Sequence, residues 1–334
     1  MRPANHDPGS RRAGPRVGLV TAGGGVAGYG FHVGALWALD AVTGFDPRTA
    51  DIAVGTSSGS IVASIVRAGI GTEELRERVL ATGPDAETDD PLDAVAGRDS
   101  FRFPAVWRGP AAFRLLTSEL RRGRRVRLSN LVLGVLPEGR VSTSPLRSVI
   151  DTFHDHRWPV DHLWIPATAL RSGRRIIFGR DRTDIDVATA VQASCAIPAY
   201  FEPVEIDGVQ YIDGGMRSPD NADLLVGCKL DVVVVSSPLS IDEPRLRRSP
   251  VLSVLRAYPS RRLELNVAAL RAAGTEVLVL EPGDELVRSI GINAMSPSKL
   301  RPVVELTAAV ITDRLKTGDG LDEYSRRARD LLIA

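Results

Sequence analysis

The sequence predicts an α/β protein with a mostly parallel central sheet and helices on its faces. Three observations carry this. Two strand–glycine turn–helix units fall within the first 70 residues. Asp231 to Ser236 contains four consecutive valines, the pattern of a strand covered on both faces. A chain of 334 residues, 43% hydrophobic and 25% charged, is long enough to bury one large core without a disulfide or metal staple.

The elements follow in order. The start, MRPANHDPGSRRAGPR, carries charge but no apolar run, so no secretory signal is expected and residues 1–14 read as a disordered leader. Val17 to Leu39 is uncharged for 23 residues, long enough to span a bilayer. Its seven glycines and His32 argue instead for strand, loop and helix, because glycine-rich backbone is poorly held in lipid. Residues 16–21 (RVGLVT) are short, apolar and β-branched, a buried strand. Gly28 to Val42 places Phe31, Ala35, Leu36 and Leu39 at helical spacing. Residues 51–54 (DIAV) are a second strand, and Ser58 to Ala68 a helix ended by Gly69.

Residues 83–160 are punctuated by Pro and Gly and cluster arginine at 121, 122, 124, 125 and 127. They read as an inserted, mostly helical cap, in which Ser144-Pro145 opens a helix running to about Phe153. Regular signals then return. Trp164–Leu170 and Arg175–Phe178 flank Ser172-Gly173 and predict a hairpin. Val187–Ala196 is a helix, Val209–Ile212 and Glu276–Leu280 are strands, and Ser298–Leu332 is two helices. With no repeat and no clear linker, residues 15–334 form one domain with 83–160 as a cap or lid.

Composition excludes several classes of function. Lysine plus arginine number 42 against 41 acidic residues, a net charge of +1, so the molecule as a whole is not built to bind nucleic acid. Only Lys229, Lys299 and Lys316 are lysine, a compositional bias rather than a functional signal. Cys195 and Cys228 lie in no CxxC or Cys/His pattern, which disfavours a disulfide framework or zinc knuckle and fits a reducing, cytoplasmic setting.

Three motifs carry chemistry. Gly55-Thr56-Ser57-Ser58-Gly59 is G-x-S-x-G between a strand and a helix. There a sharp turn exposes a serine, and helix amides face a developing oxyanion; the bland alternative is an N-cap serine. Gly23-Gly24-Gly25-Val26-Ala27-Gly28 satisfies G-x-G-x-x-G through Gly23, Gly25 and Gly28. It reads as a dinucleotide loop, an oxyanion loop or a structural turn. The dinucleotide reading requires an acidic residue ending the second strand, whereas Asp51 starts it. Tyr211-Ile212-Asp213-Gly214-Gly215 sends an aspartate off a strand into a glycine turn, a general base for Ser57 or an Asx turn. The histidines are 6, 32, 154, 156 and 162. None follows Asp213, so the Ser–acid–His order of an α/β-hydrolase triad cannot be completed with that acid. His32 reads as a packed helix residue. The segment His154-Asp155-His156 to His162 lacks ligand spacing and reads as solvated cap, so no metal is expected.

Taken in order, the glycine loop from Gly23 to Gly28, the Gly55–Gly59 elbow, the Ala193-Ser194-Cys195-Ala196-Ile197-Pro198 stretch and Asp213-Gly214 resemble the patatin-like phospholipase family. The likeness covers residues 16–69 and about 163–236. It implies a three-layer α/β/α sandwich and a Ser–Asp dyad without histidine. Ser57 matches the family nucleophile and Asp213 its partner. Gly23, Gly24 and Gly25, with the N–H of Ser58, match the oxyanion hole, and Gly28, Gly55, Gly59 and Gly214 are motif glycines. Ala27 departs from the family, which carries a basic residue there. The implied activity is a serine lipid acyl hydrolase of phospholipase A or carboxylesterase type. It would act on an acyl-ester or phospholipid substrate and need no metal or organic cofactor. Phe101, Phe103, Val106, Trp107, Phe113, Leu115 and Leu116 alternate with arginines in the cap. They read as a lid in peripheral contact with a membrane or as a helical cap with a solvated basic face. The competing readings are a nucleotide- or dinucleotide-binding enzyme and a catalytically silent relative that binds lipid or a partner.

Overall fold

A computed structural model describes residues 14–81, 139–154, 158–241 and 250–333. The chain opens with β1 (Val17–Thr21), α1 (Gly25–Thr43), β2 (Ile52–Gly55), α2 (Ser58–Arg67) and α3 (Thr72–Ala81). After α4 (Ser144–His154) come β3 (His162–Ala169), β4 (Arg175–Phe178), α5 (Val187–Cys195), β5 (Val204–Ile206) and β6 (Val209–Asp213). The chain continues through β7 (Val232–Ser236), α6 (Pro250–Ala272), β8 (Glu276–Leu280), α7 (Asp284–Ile290), α8 (Leu300–Thr317) and α9 (Glu323–Ile333). The leader through residue 13, most of the expected cap (83–138 and 155–157) and its aromatic–arginine stretch lie outside the described residues.

The sheet runs β5-β6-β3-β2-β1-β7-β8, with β4 paired to β3. Strands β3, β2, β1, β7 and β8 are parallel, while β4 and β6 run antiparallel to β3, and β5 antiparallel to β6. The sheet is thus mixed, a parallel block joined at β3 to an antiparallel one. Every residue of β1 and β7 is buried. Successive residues face opposite layers, so a strand covered on both sides must be apolar throughout. Leu19 packs into one layer with Leu36, Ile61, Val191 and Val304; Val20 packs into the other with Val54, Val233, Leu263 and Leu270. The sandwich is uneven, since most helices lie on the Leu19 side and α6 with residues 222–230 covers the other.

Two expectations change. Helix α1 starts at Gly25, not Gly28, so four of the six residues of the glycine loop form the first turn of a helix. His154 is not solvated: it is buried, and its Nε2–H donates to the Ser64 carbonyl at 2.8 Å. Leu146 and Ile150 are also buried, and His154 stands one further turn along that same face.

Candidate active site

Parallel pairing sets Thr21 opposite Gly55, so the chain leaves β1 and β2 side by side, one strand into the glycine loop and the other into the elbow. Ser57 sits between β2 and α2 with φ 52° and ψ −127°, a left-handed conformation costing a non-glycine residue about 1–3 kcal/mol. Its surroundings hold it there. The Ser57 N–H donates to Ser194 Oγ at 3.0 Å. The Ser57 carbonyl accepts from Ser60 Oγ at 2.6 Å and Ser60 N at 2.7 Å. Thr56 N donates to the Thr21 carbonyl at 3.0 Å. Gly59 makes the turn fit, because a Cβ there would overlap the Thr21 carbonyl oxygen.

Asp213 ends β6, paired with Ala167 of β3. It is 6% exposed and accepts a hydrogen bond from Gly215 N at 2.7 Å. Burial pushes its carboxyl up to about 6, against the pull of the Ser57 hydroxyl and the Gly215 amide. The carboxyl is mainly ionised at neutral pH yet a better base than a free aspartate, whose value is 3.8. Cys195 Sγ lies 3.8 Å from Ser60 Oγ. Burial and the Asp213 charge push that thiol up, so it stays protonated.

The glycine loop lies against Ser57: a Cβ on Gly23 would stand 3.4 Å from Ser57 Cβ. The Gly23 amide, expected to face an oxyanion, instead donates to the Pro219 carbonyl at 2.9 Å. Gly25 has φ +64° and begins α1, as Ser58 begins α2; first-turn amides have no intrahelical acceptor. Two helices therefore begin beside the nucleophile, an arrangement suited to negative charge. The Ala27 amide donates to the Ala294 carbonyl at 2.9 Å, and its side chain is buried. A buried methyl group thus stands where the sequence resemblance implies a basic residue.

His32 is fully buried. Its Nε2 faces the Ala22 carbonyl at 2.7 Å and must donate, which leaves Nδ1 to accept from Ser236 Oγ at 2.7 Å. Burial lowers its value to about 4, partly opposed by the Ala22 bond. It is a neutral strut under the glycine loop and no partner of Ser57. Asp51, the acid a dinucleotide would need, accepts from Val17 N at 2.8 Å. Because Gly18 pairs with Ile52, that contact lies at the opposite end of the strands from Gly23. Exposed His162 begins β3. Among the described residues no three His, Cys, Asp or Glu side chains group as metal ligands, and no helix is long and apolar enough to cross a membrane.

A family model described as patatin-like phospholipase matches residues 19–226. Similar solved structures include VipD from Legionella pneumophila (13% identity, TM-score 0.38, 92% of this chain and 68% of that one). Another is the type III effector ExoU of Pseudomonas aeruginosa (14%, 0.36, 91% and 53%). A third is human GIVD cytosolic phospholipase A2 in complex with methyl gamma-linolenyl fluorophosphonate (11%, 0.38, 95% and 59%). The chain thus spans little more than half of the latter two. No curated protein matches the sequence.

Proposed function

Because the chain belongs to the patatin-like phospholipase family, we propose that it is a serine lipid acyl hydrolase cleaving carboxylic esters through a Ser57–Asp213 dyad. The observation that carries this is a left-handed Ser57 on the strand–helix elbow, whose hydroxyl interacts with the buried Asp213 carboxyl and lowers its pKa against the effect of burial. Ser57 Oγ attacks the ester carbonyl as its proton passes to Asp213. The amides of Gly24, Gly25 and Ser58 stabilise the oxyanion, with both helix N-termini behind them. The alcohol leaves with the proton held by Asp213, giving an acyl-serine. Asp213 then takes a proton from water, which attacks the acyl carbonyl, and passes that proton to Ser57 Oγ as the acyl–serine bond breaks and the acid leaves. Gly23 is omitted from the hole because its N–H is already donated to Pro219.

The substrate is an acyl ester of a lipid, phospholipid included. Its proposed setting is the cytoplasm, in peripheral contact with the lipid surface that carries its substrate. A nucleotide-binding reading lacks support: the elbow occupies the end of β2, and Asp51 lies at the opposite end of the strands, bonded to Val17 N. The test is hydrolysis of a p-nitrophenyl acyl ester series by wild type and Ser57→Ala, paired with fluorophosphonate labelling. Wild-type turnover and labelling, both lost in Ser57→Ala, are expected. Labelling that persists in the variant would overturn the assignment.

A further inference from the structure

We propose that Ser194 is a positioning residue for this reaction, its buried hydroxyl holding the nucleophile turn in register with the strands that carry Asp213. The inference rests on the hydrolase reading above. Ser194 lies in the last turn of α5 and is fully buried. Its Oγ accepts from Ser57 N at 3.0 Å and donates to the Pro166 carbonyl at 2.7 Å. Pro166 immediately precedes Ala167, the β3 residue paired with Asp213. The same Pro166 carbonyl lies so close to Gly214 that a Cβ there would overlap it. One hydroxyl therefore joins the amide of the nucleophile to the point on β3 where the carboxylate strand ends.

No backbone group stands in for it. The Ser57 amide lies beyond the last ladder pair, Thr21 with Gly55, and ahead of the first residue of α2. Neither sheet nor helix supplies an acceptor for it. The following residues grip the same site: Cys195 Sγ lies 3.8 Å from Ser60 Oγ in the first turn of α2, and the Ala196 carbonyl accepts from Asp213 N at 2.9 Å. Three consecutive residues thus contact the nucleophile, its helix and Asp213, and Ser194 meets the nucleophile through its main chain. Removing its hydroxyl leaves the Ser57 N–H without an acceptor and frees the left-handed turn to relax. Ser57 Oγ then drifts from Asp213, and misplacement of a reacting group by about 1 Å costs on the order of 100-fold in rate.

The experiment compares wild type, Ser194→Ala, Ser194→Thr and Ser64→Ala for ester hydrolysis, fluorophosphonate labelling rate and its pH profile, with folding checked by circular dichroism. Ser64→Ala is the control, a buried hydroxyl of α2 bonded only to the Ile61 carbonyl at 2.8 Å. In Ser194→Ala, kcat falls by roughly 10- to 100-fold while KM stays within about twofold, the signature of lost alignment rather than lost binding. The acid limb of labelling moves above pH 6, because the Ser57 hydroxyl is one of two groups that hold the Asp213 value down. Ser194→Thr, which keeps the hydroxyl, recovers most of the rate, and Ser64→Ala moves neither kcat nor the limb. Should Ser194→Ala not fold, Ser194→Cys, with a poor acceptor of similar shape, carries the same expectation. Wild-type kinetics and an unmoved limb in a folded Ser194→Ala overturn this proposal and leave the hydrolase reading standing. A wild type that is not labelled at Ser57 overturns both.

Discussion

Replacing Asp213 by asparagine is expected to abolish turnover and, at the same time, to stabilise the fold at alkaline pH. The carboxyl goes from 3.8 unfolded to about 6 in the folded protein, chiefly because it is buried. Its protonated form is the one the fold prefers. The stability this group contributes is therefore fully present below pH 3.8 and is lost as pH rises through 6. Above pH 6 the buried charge costs about 3 kcal/mol. Asparagine never ionises, its carbonyl oxygen still accepts from Gly215 N, and its amide meets the Ser57 hydroxyl. Linkage then gives the variant an advantage of about 3 kcal/mol at pH 8, shrinking to about 1 kcal/mol at pH 4.5. Urea unfolding of wild type and variant across that range measures it, with Ser57 labelling recorded on the same samples. A stability difference that does not change with pH, or a variant weaker than wild type at pH 8, would refute the argument that burial sets the Asp213 value.

Three further outcomes are expected. The kcat/KM for a soluble ester should fall about tenfold per pH unit below 6 as Asp213 takes up its proton; a flat profile down to pH 5 would exclude it as the base. Gly59→Ala should fail to give folded protein, or lose at least about 3 kcal/mol in urea, since the new methyl meets the Thr21 carbonyl of the central strand. His32→Leu should cost about 2–5 kcal/mol by leaving the Ala22 carbonyl and Ser236 hydroxyl unpaired; in wild type the His32 ring should remain neutral at pH 5 by NMR, given its value of about 4.

Local patterns made much of this legible. The valines of β7, the hairpin of β3 and β4 and the Gly55–Gly59 elbow are determined by short-range preferences, so they can be read from neighbouring residues. The join between the parallel and antiparallel blocks at β3 was not legible, because strand direction depends on partners distant in sequence. Helix α3 was missed because only Thr72, Leu75 and Val79 of its ten residues are buried, too thin a stripe to register. Pro259 obscured α6 by interrupting its pattern. Two signals were present and unread. Asp207 and Gly208 both have positive φ, the tight-turn pair that joins β5 to β6. The spacing of Leu146, Ile150 and His154 marks one buried face of α4. At the site, Ser57 and Asp213 were recognisable by motif. Ser194 and the Gly23–Pro219 bond were not, since each depends on a contact made only by the assembled fold.

The two atoms joined at the back of the elbow, Ser57 N and Ser194 Oγ, belong to residues 137 positions apart. A nascent chain that has emerged only through Tyr200 carries its serine without the carboxylate proposed to activate it, since β6 is still to come. On the proposed mechanism a fragment cut between the two inherits the elbow without its base. Covalent labelling of Ser57 then becomes a single-residue report on whether β6 has joined β3.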